Sequence, residues 1–168
     1  MDQIIIFCAK YVVVFVVLGM GVAWLRSPRS VRLPFALSVL LGGIIALVIS
    51  RIAGKLYFDP RPFVTEHVKP LFSHAPDNGF PSDHALFTMT LTAVTYFFSK
   101  KWATIMLLLT IVVGAARVLA KVHSPLDIAG GWVIGIAGAI AGYYLAAWLL
   151  RRFGKPAGSA SNPNQLPS

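Results

Sequence analysis

Hydrophobic positions fall into five blocks separated by polar intervals: residues 4–25, 33–53, 84–98, 102–120 and 128–150. A helix needs about 20 apolar residues to cross a bilayer, so the blocks predict membrane-spanning helices. The third block is short and opens with polar residues. The first is not expected to be a cleaved leader: Asp2 stands where a basic start would, the apolar core is too long, and no convincing small-residue cleavage site follows. Two polar intervals are long enough to carry chemistry, residues 54–83 and 117–127.

Composition agrees. Hydrophobic residues make up 57% of the 168 positions and charged residues only 12%, against about 25% charged in a soluble domain. The expectation is an all-α, polytopic transmembrane bundle of five to six spans. Residues 1–153 form one integral membrane unit, and residues 154–168, rich in Gly, Ser, Pro and Asn, form a disordered cytoplasmic tail. One cysteine, Cys8, rules out an intrachain disulfide framework and a Cys-based zinc site.

The net charge of +9 suggests nucleic acid in a soluble protein. Its distribution suggests a membrane instead. Arg26, Arg29 and Arg32 follow the first block, Lys100 and Lys101 the third, and Arg151, Arg152 and Lys155 the fifth, with no acid among them. All six acids, Asp2, Asp59, Glu66, Asp77, Asp83 and Asp127, fall in the alternate segments. Basic segments stay cytoplasmic, so the N-terminus and both long polar intervals are expected outside and the C-terminus in the cytoplasm. Gly131, Gly135, Gly138 and Gly142 in the fifth block have the spacing of tight helix packing.

Chemistry concentrates in three strings expected at one membrane face: KLYFDPRPF (55–63), GFPSDHA (79–85) and ARVLAKVHSPLD (116–127). Two arginines and a lysine around two histidines suit an anion, because guanidinium groups match phosphate oxygens. Ser82 and Ser124 each stand at a helix start as N-cap candidates, and the free N–H groups after Ser82 suit a phosphate. Asp127, four residues after His123, either fixes the imidazole tautomer as a catalytic orienter does or merely caps the helix opposite Ser124. A zinc site of His84, His123 and Asp127 is disfavoured by the surrounding arginines. His67 and His74 have no placed partner, and Lys10 has no assigned role.

Together the strings resemble the signature of the type 2 phosphatidic acid phosphatase superfamily, membrane lipid phosphatases related to vanadium haloperoxidases. The family's motifs are a Lys followed by Arg-Pro, then Pro-Ser-Gly-His, then Ser-Arg with a downstream His and Asp. This chain has Arg61-Pro62, then Pro81-Ser82-Asp83-His84, then Arg117, His123 and Asp127. Asp83 stands for the usual glycine, as in the undecaprenyl-diphosphatase branch. Ala116 stands for the usual serine. Five residues, where the pattern has six, separate Lys55 from Arg61, so Arg51, one helical turn earlier, is an alternative to Lys55.

The resemblance implies that His123 attacks phosphorus, Asp127 orients it, and His84 protonates the leaving group and activates water. It also implies that Arg61, Arg117, Ser82 and Lys55 hold the phosphoryl oxygens, with no metal or other cofactor. The implied substrate is a lipid with a phosphate or diphosphate head, undecaprenyl diphosphate first, at the outer face of a bacterial inner membrane. Phosphatidylglycerol phosphate or phosphatidic acid is the alternative within the same chemistry. A non-enzymatic lipid-phosphate binder or small transporter is the alternative of another class.

Overall fold

The computed structural model describes residues 1–153; the tail expected at 154–168 lies outside the described residues. The chain folds into α1 (Asp2–Arg26), α2 (Arg29–Leu56), the single turn α3 (Pro62–Thr65), α4 (Asp83–Phe98), α5 (Lys100–Leu119) and α6 (Pro125–Phe153). The five long helices match the five apolar blocks. α1, α2 and α6 run past them into the flanking polar residues. Among the described residues there is no strand, only an isolated bridge between Pro60 and Asn78.

α1, α2, α5 and α6 are long and apolar enough to cross a membrane. Side chains such as Ile4, Leu18, Leu40, Leu108, Val133 and Ile136 stay exposed on their outer faces. In water such a belt would be untenable; in lipid it is solvated. The chain is a membrane protein.

α4 differs. Its 16 residues span about 24 Å at 1.5 Å per residue, and it is the helix packed against α1, α2, α5 and α6. Its sequence carries Thr88, Thr90, Thr92 and Thr95, all buried. Each hydroxyl donates to the carbonyl four residues earlier, at 2.8, 2.7, 2.8 and 2.7 Å in that order. Thr92 also meets the Thr110 hydroxyl of α5 at 3.0 Å. These bonds remove the cost of burying unpaired hydroxyls, so a half-polar helix occupies the centre of the bundle.

The rest of the interior is apolar. Phe35 stacks on Phe98 at 4.4 Å beside Ala23, Val94 and Ala139, and Val16, Leu91 and Met106 fill the next layer. α6 approaches its neighbours through the four glycines. A Cβ on Gly131 or Gly135 would sit 2.8 or 2.9 Å from the carbonyls of Ser82 and Leu86 on α4. One on Gly138 would sit 2.6 Å from the Ala46 Cβ on α2, and one on Gly142 would strike the Gly42 backbone. The tight packing expected from the spacing is what the glycines provide.

Helix order places the α1–α2 and α4–α5 links and the end of α6, with their arginines and lysines, at one end of the bundle. The α2–α4 loop, the α5–α6 link and the start of α1 lie at the other, with all six acids.

Candidate active site

The long α2–α4 loop is held by backbone bonds and by one side chain. Asn78 Nδ2 donates to the carbonyls of Gly54 (2.8 Å) and Tyr57 (2.9 Å), while its Oδ1 accepts from the N–H groups of Asp59 (2.9 Å) and Phe80 (3.0 Å). It thereby ties the end of α2 to the start of α4. The loop docks on the α5–α6 link through Phe63 N–H to Lys121 O and Leu71 N–H to Ala120 O, both 3.2 Å, and Ser82 N–H to Asp127 O at 3.1 Å. These contacts bring the three polar strings together.

At the start of α6 the two readings of Asp127 are both realised. Asp127 N–H donates to Ser124 Oγ at 3.1 Å and Ser124 N–H donates to Asp127 Oδ2 at 2.9 Å, a reciprocal cap. The same Oδ2 lies 3.1 Å from His123 Nδ1. One carboxylate oxygen has lone pairs for both. Ser124 Oγ donates in turn to Asp59 Oδ2 at 2.8 Å, so Asp59, Ser124, Asp127 and His123 form one chain of hydrogen bonds. Asp127 is fully buried, and Gly79 lies against it: a Cβ there would fall 2.6 Å from Oδ2.

This network fixes the His123 tautomer. A carboxylate only accepts, so Nδ1 carries the proton and Nε2 is bare. Arg117 Nη2 lies 3.2 Å from Nε2, and a guanidinium only donates, which demands the same tautomer independently. Arg61 Nη1 lies 3.2 Å from Nε2 and 3.4 Å from Nδ1, nearly equidistant, so it crosses the ring face. Arg61 is anchored through Nε to Asp77 Oδ1 (2.7 Å) and through Nη1 to Val122 O (2.7 Å). Arg61, Arg117 and His123 are all buried, at 5, 4 and 3% exposure. An unprotonated nitrogen thus sits beside two desolvated cations, which is the arrangement a nucleophile for an anionic centre requires.

Burial, first, holds the His123 pKa below its ordinary 6.5; the Asp127 hydrogen bond opposes this, while Arg117 and Arg61 reinforce it. The hydrogen bond from Arg61 holds the Asp77 carboxyl below its usual range.

A cavity of about 470 Å³ opens here, lined by Arg61, His84, Arg117 and His123, with Arg51 and Lys55 from α2. Four of the residues expected to converge therefore do. Lys55 and its alternative Arg51 both reach the cavity, so the spacing question is not one of exclusion. Ser82 differs from expectation. It occupies the N-cap position of α4, yet its side chain makes no capping bond. Its Oγ is buried without a partner, and it lies off the cavity wall, between Pro81 and Asp83, which line it. The N–H groups of Asp83, His84 and Ala85 precede the first helical bond, Leu86 N–H to Ser82 O, and stay available as donors.

His74 was missed by sequence reasoning. It lines the cavity, with its ring 6.0 Å from that of His123. Its Nδ1 lies 3.4 Å from Ala75 O, so Nε2 is the acceptor facing Arg117 Nη2 at 3.3 Å. Burial, then Arg61, lowers its pKa and keeps it neutral. A lone loop histidine gives no spacing signal; only the loop's docking places it. His67 remains an exposed loop residue. Lys10 lies 4.6 Å from the Phe72 ring centroid, and Arg117 lies 5.8 Å from the same centroid.

This site and fold define a membrane phosphatase of a known class. The PAP2 superfamily pattern matches residues 32–151, and the chain belongs to that superfamily. It is 32% identical over 147 residues to the bacitracin transport permease protein BcrC of Bacillus licheniformis, covering 87% of this chain and 72% of that one. It is 31% identical to the undecaprenyl-diphosphatase BcrC of Bacillus subtilis (81% and 70% covered). It is 30% identical to the putative undecaprenyl-diphosphatase YbjG of Escherichia coli (83% and 71% covered). The crystal structure of Aquifex aeolicus LpxE shares the fold, with a TM-score of 0.60 at 20% identity over 84% of this chain and 93% of that one.

Proposed function

We propose that this chain hydrolyses undecaprenyl diphosphate to undecaprenyl phosphate and inorganic phosphate at the outer face of a bacterial cytoplasmic membrane, recycling the carrier lipid of cell-wall synthesis. The observation that carries the chemistry is the bare Nε2 of His123 beside Arg61 and Arg117 in a cavity at one end of the bundle. The names of the relatives and the Pro-Ser-Asp-His string support the substrate.

His123 Nε2 attacks the terminal phosphorus. A P–N bond forms, the bond to the bridging oxygen breaks, and its electron pair leaves with the lipid phosphate, which takes a proton from His84. Asp127 stabilises the positive imidazole ring. Arg61, Arg117 and Lys55, with the free N–H groups at the start of α4, hold the phosphoryl oxygens as charge develops. Water then attacks phosphorus, His84 accepts its proton, and the P–N pair returns to Nε2. Side-chain cations supply the charge that a metal supplies in other phosphatases, and they repel a divalent ion from the same space.

The test is phosphate release by purified protein in EDTA, with polyprenyl diphosphate and phosphatidylglycerol phosphate compared in the same detergent. Faster release from the diphosphate supports the reading, and faster release from the glycerol lipid replaces the substrate. Activity lost in EDTA and restored by zinc overturns the metal-free mechanism. Lipid binding or transport without any release overturns hydrolysis.

Two further outcomes follow. Attack requires neutral His123, and its pKa is held below 6.5, so the acid limb of kcat/KM lies below pH 6.5. A His123-dependent limb at or above pH 6.5 contradicts the electrostatics. Gly79→Ala pushes a methyl group against Asp127 Oδ2. A misplacement near 1 Å costs about 100-fold in rate, and that loss is expected in kcat with the helical circular-dichroism signal retained. Unchanged kcat contradicts the role given to Asp127.

A further inference from the structure

The four cations of the cavity form two pairs. Arg61 and Arg117 contact His123, whereas Arg51 and Lys55 stand on α2. Arg51 is exposed and, among the described residues, has no hydrogen bond or ion pair to a side chain. It also lines a second cavity, of about 360 Å³, between α2 and α4. That groove is apolar: Val39, Gly43 and Leu47 from α2 face Leu86, Phe87 and Leu91 from α4. Arg51 and Asp83 are the residues common to the groove and the phosphate cavity.

The order along α2 is informative. Residues 39, 43, 47, 51 and 55 form a row that winds about 40° per step of four; the first four line the groove, and Arg51 and Lys55 line the phosphate cavity. From Val39 to Arg51 the helix rises about 18 Å, somewhat more than half the hydrocarbon thickness of a bilayer. The row is apolar as far as Leu47, then cationic at Arg51 and Lys55. A lipid diphosphate has the same order: tail, lipid-side phosphate, terminal phosphate. Asp83 places one carboxylate at the junction, which Arg51 and Lys55 outnumber.

We infer that Arg51 selects for a diphosphate: it grips the phosphate that stays with the lipid, while the tail lies in the α2–α4 groove. This rests on the phosphatase reading above and adds a specificity-determining residue to it. Arg61 and Arg117 meet His123, where the transferred phosphoryl group sits, and Arg51 does not, so its removal acts on the substrate with a second phosphate. A monophosphate lipid leaves Arg51 nothing to grip once its single phosphate reaches His123.

The experiment compares farnesyl diphosphate with farnesyl monophosphate, which share a tail. A charge-assisted hydrogen bond accounts for roughly 10- to 100-fold in binding. Arg51→Met is expected to lower the diphosphate-to-monophosphate ratio of kcat/KM by at least about tenfold, with Arg51→Lys recovering part of it. An unchanged ratio, whether or not total activity falls, overturns the inference. If wild-type protein cleaves neither compound, the phosphatase reading itself fails, a distinct result. The groove has its own arm. A Cβ on Gly43 meets nothing within 4 Å, so Gly43→Leu fills the groove without a backbone clash. It is expected to raise KM for a long polyprenyl diphosphate more than for farnesyl diphosphate; equal effects on both overturn the placement of the tail.

Discussion

His123→Ala abolishes phosphate release, by about 10⁴-fold or more, the scale on which removing a covalent nucleophile acts. The loss lies in kcat, because Arg61 and Arg117 still bind the phosphate head. Arg61 keeps its anchors on Asp77 and Val122 O when the imidazole is gone. His123→Gln supplies an amide of similar reach in the same position and is expected to be equally inactive, since it has no nucleophilic nitrogen. Helical content measured by circular dichroism checks that both variants fold. Retention of even a hundredth of wild-type activity in both would exclude attack by His123.

Asp127→Asn lowers kcat by about 10²- to 10³-fold through the lost charge. Ser124 N–H demands an acceptor at the Oδ2 position, so the amide oxygen takes it and still accepts from His123 Nδ1; the tautomer is kept, but the negative charge that steadies the imidazole ring as it becomes positive is gone. The capping role of Asp127 separates cleanly from this. Ser124→Ala removes the hydroxyl that caps Asp127 N–H and its link to Asp59, and leaves the bond from His123 to Asp127 Oδ2. Losing a cap costs about 1 kcal/mol, so Ser124→Ala shifts the melting temperature while kcat falls less than tenfold. Equal losses of kcat in the two variants would make Asp127 a helix cap and nothing more.

The dual role of Asp127 shows where sequence reasoning stops. Spacing alone offers capping or orientation as alternatives, because it does not reveal that one oxygen accepts from both Ser124 N–H and His123 Nδ1. The helices were legible because hydropathy is local, and their alternation because charge asymmetry is a property of whole segments. That alternation puts Arg61, His84, Arg117 and His123 at one face; the docking of the α2–α4 loop closes them into one cavity.

What depends on the loop's path was not legible. His74 joins Arg117 only because residues 66–78 fold back and Leu71 docks on Ala120. Asn78 gathers four backbone groups, and in the sequence it is only a turn residue before Gly79. Ser82 has the residue type of an N-cap and the position of one, yet its hydroxyl caps nothing. α4 appears in the sequence as the short, partly polar block. Its central position rests on threonine hydroxyls that bond within their own helix, a feature that a hydropathy profile counts against it.

The phosphoryl–histidine bond is the most direct test of the account. Leaving-group protonation matters little for a diphosphate, because the departing lipid phosphate is only weakly basic, with a second pKa near 6. Hydrolysis of the intermediate needs a base. His84→Ala therefore slows the second step more than the first. Incubated with polyprenyl diphosphate radiolabelled in its terminal phosphate and quenched in alkali, this variant is predicted to carry an acid-labile, base-stable label on the peptide containing His123. The double variant His84→Ala with His123→Gln is predicted to carry none. Label on another residue, or an unlabelled His84→Ala protein alongside continued turnover by His123→Gln, would contradict the mechanism.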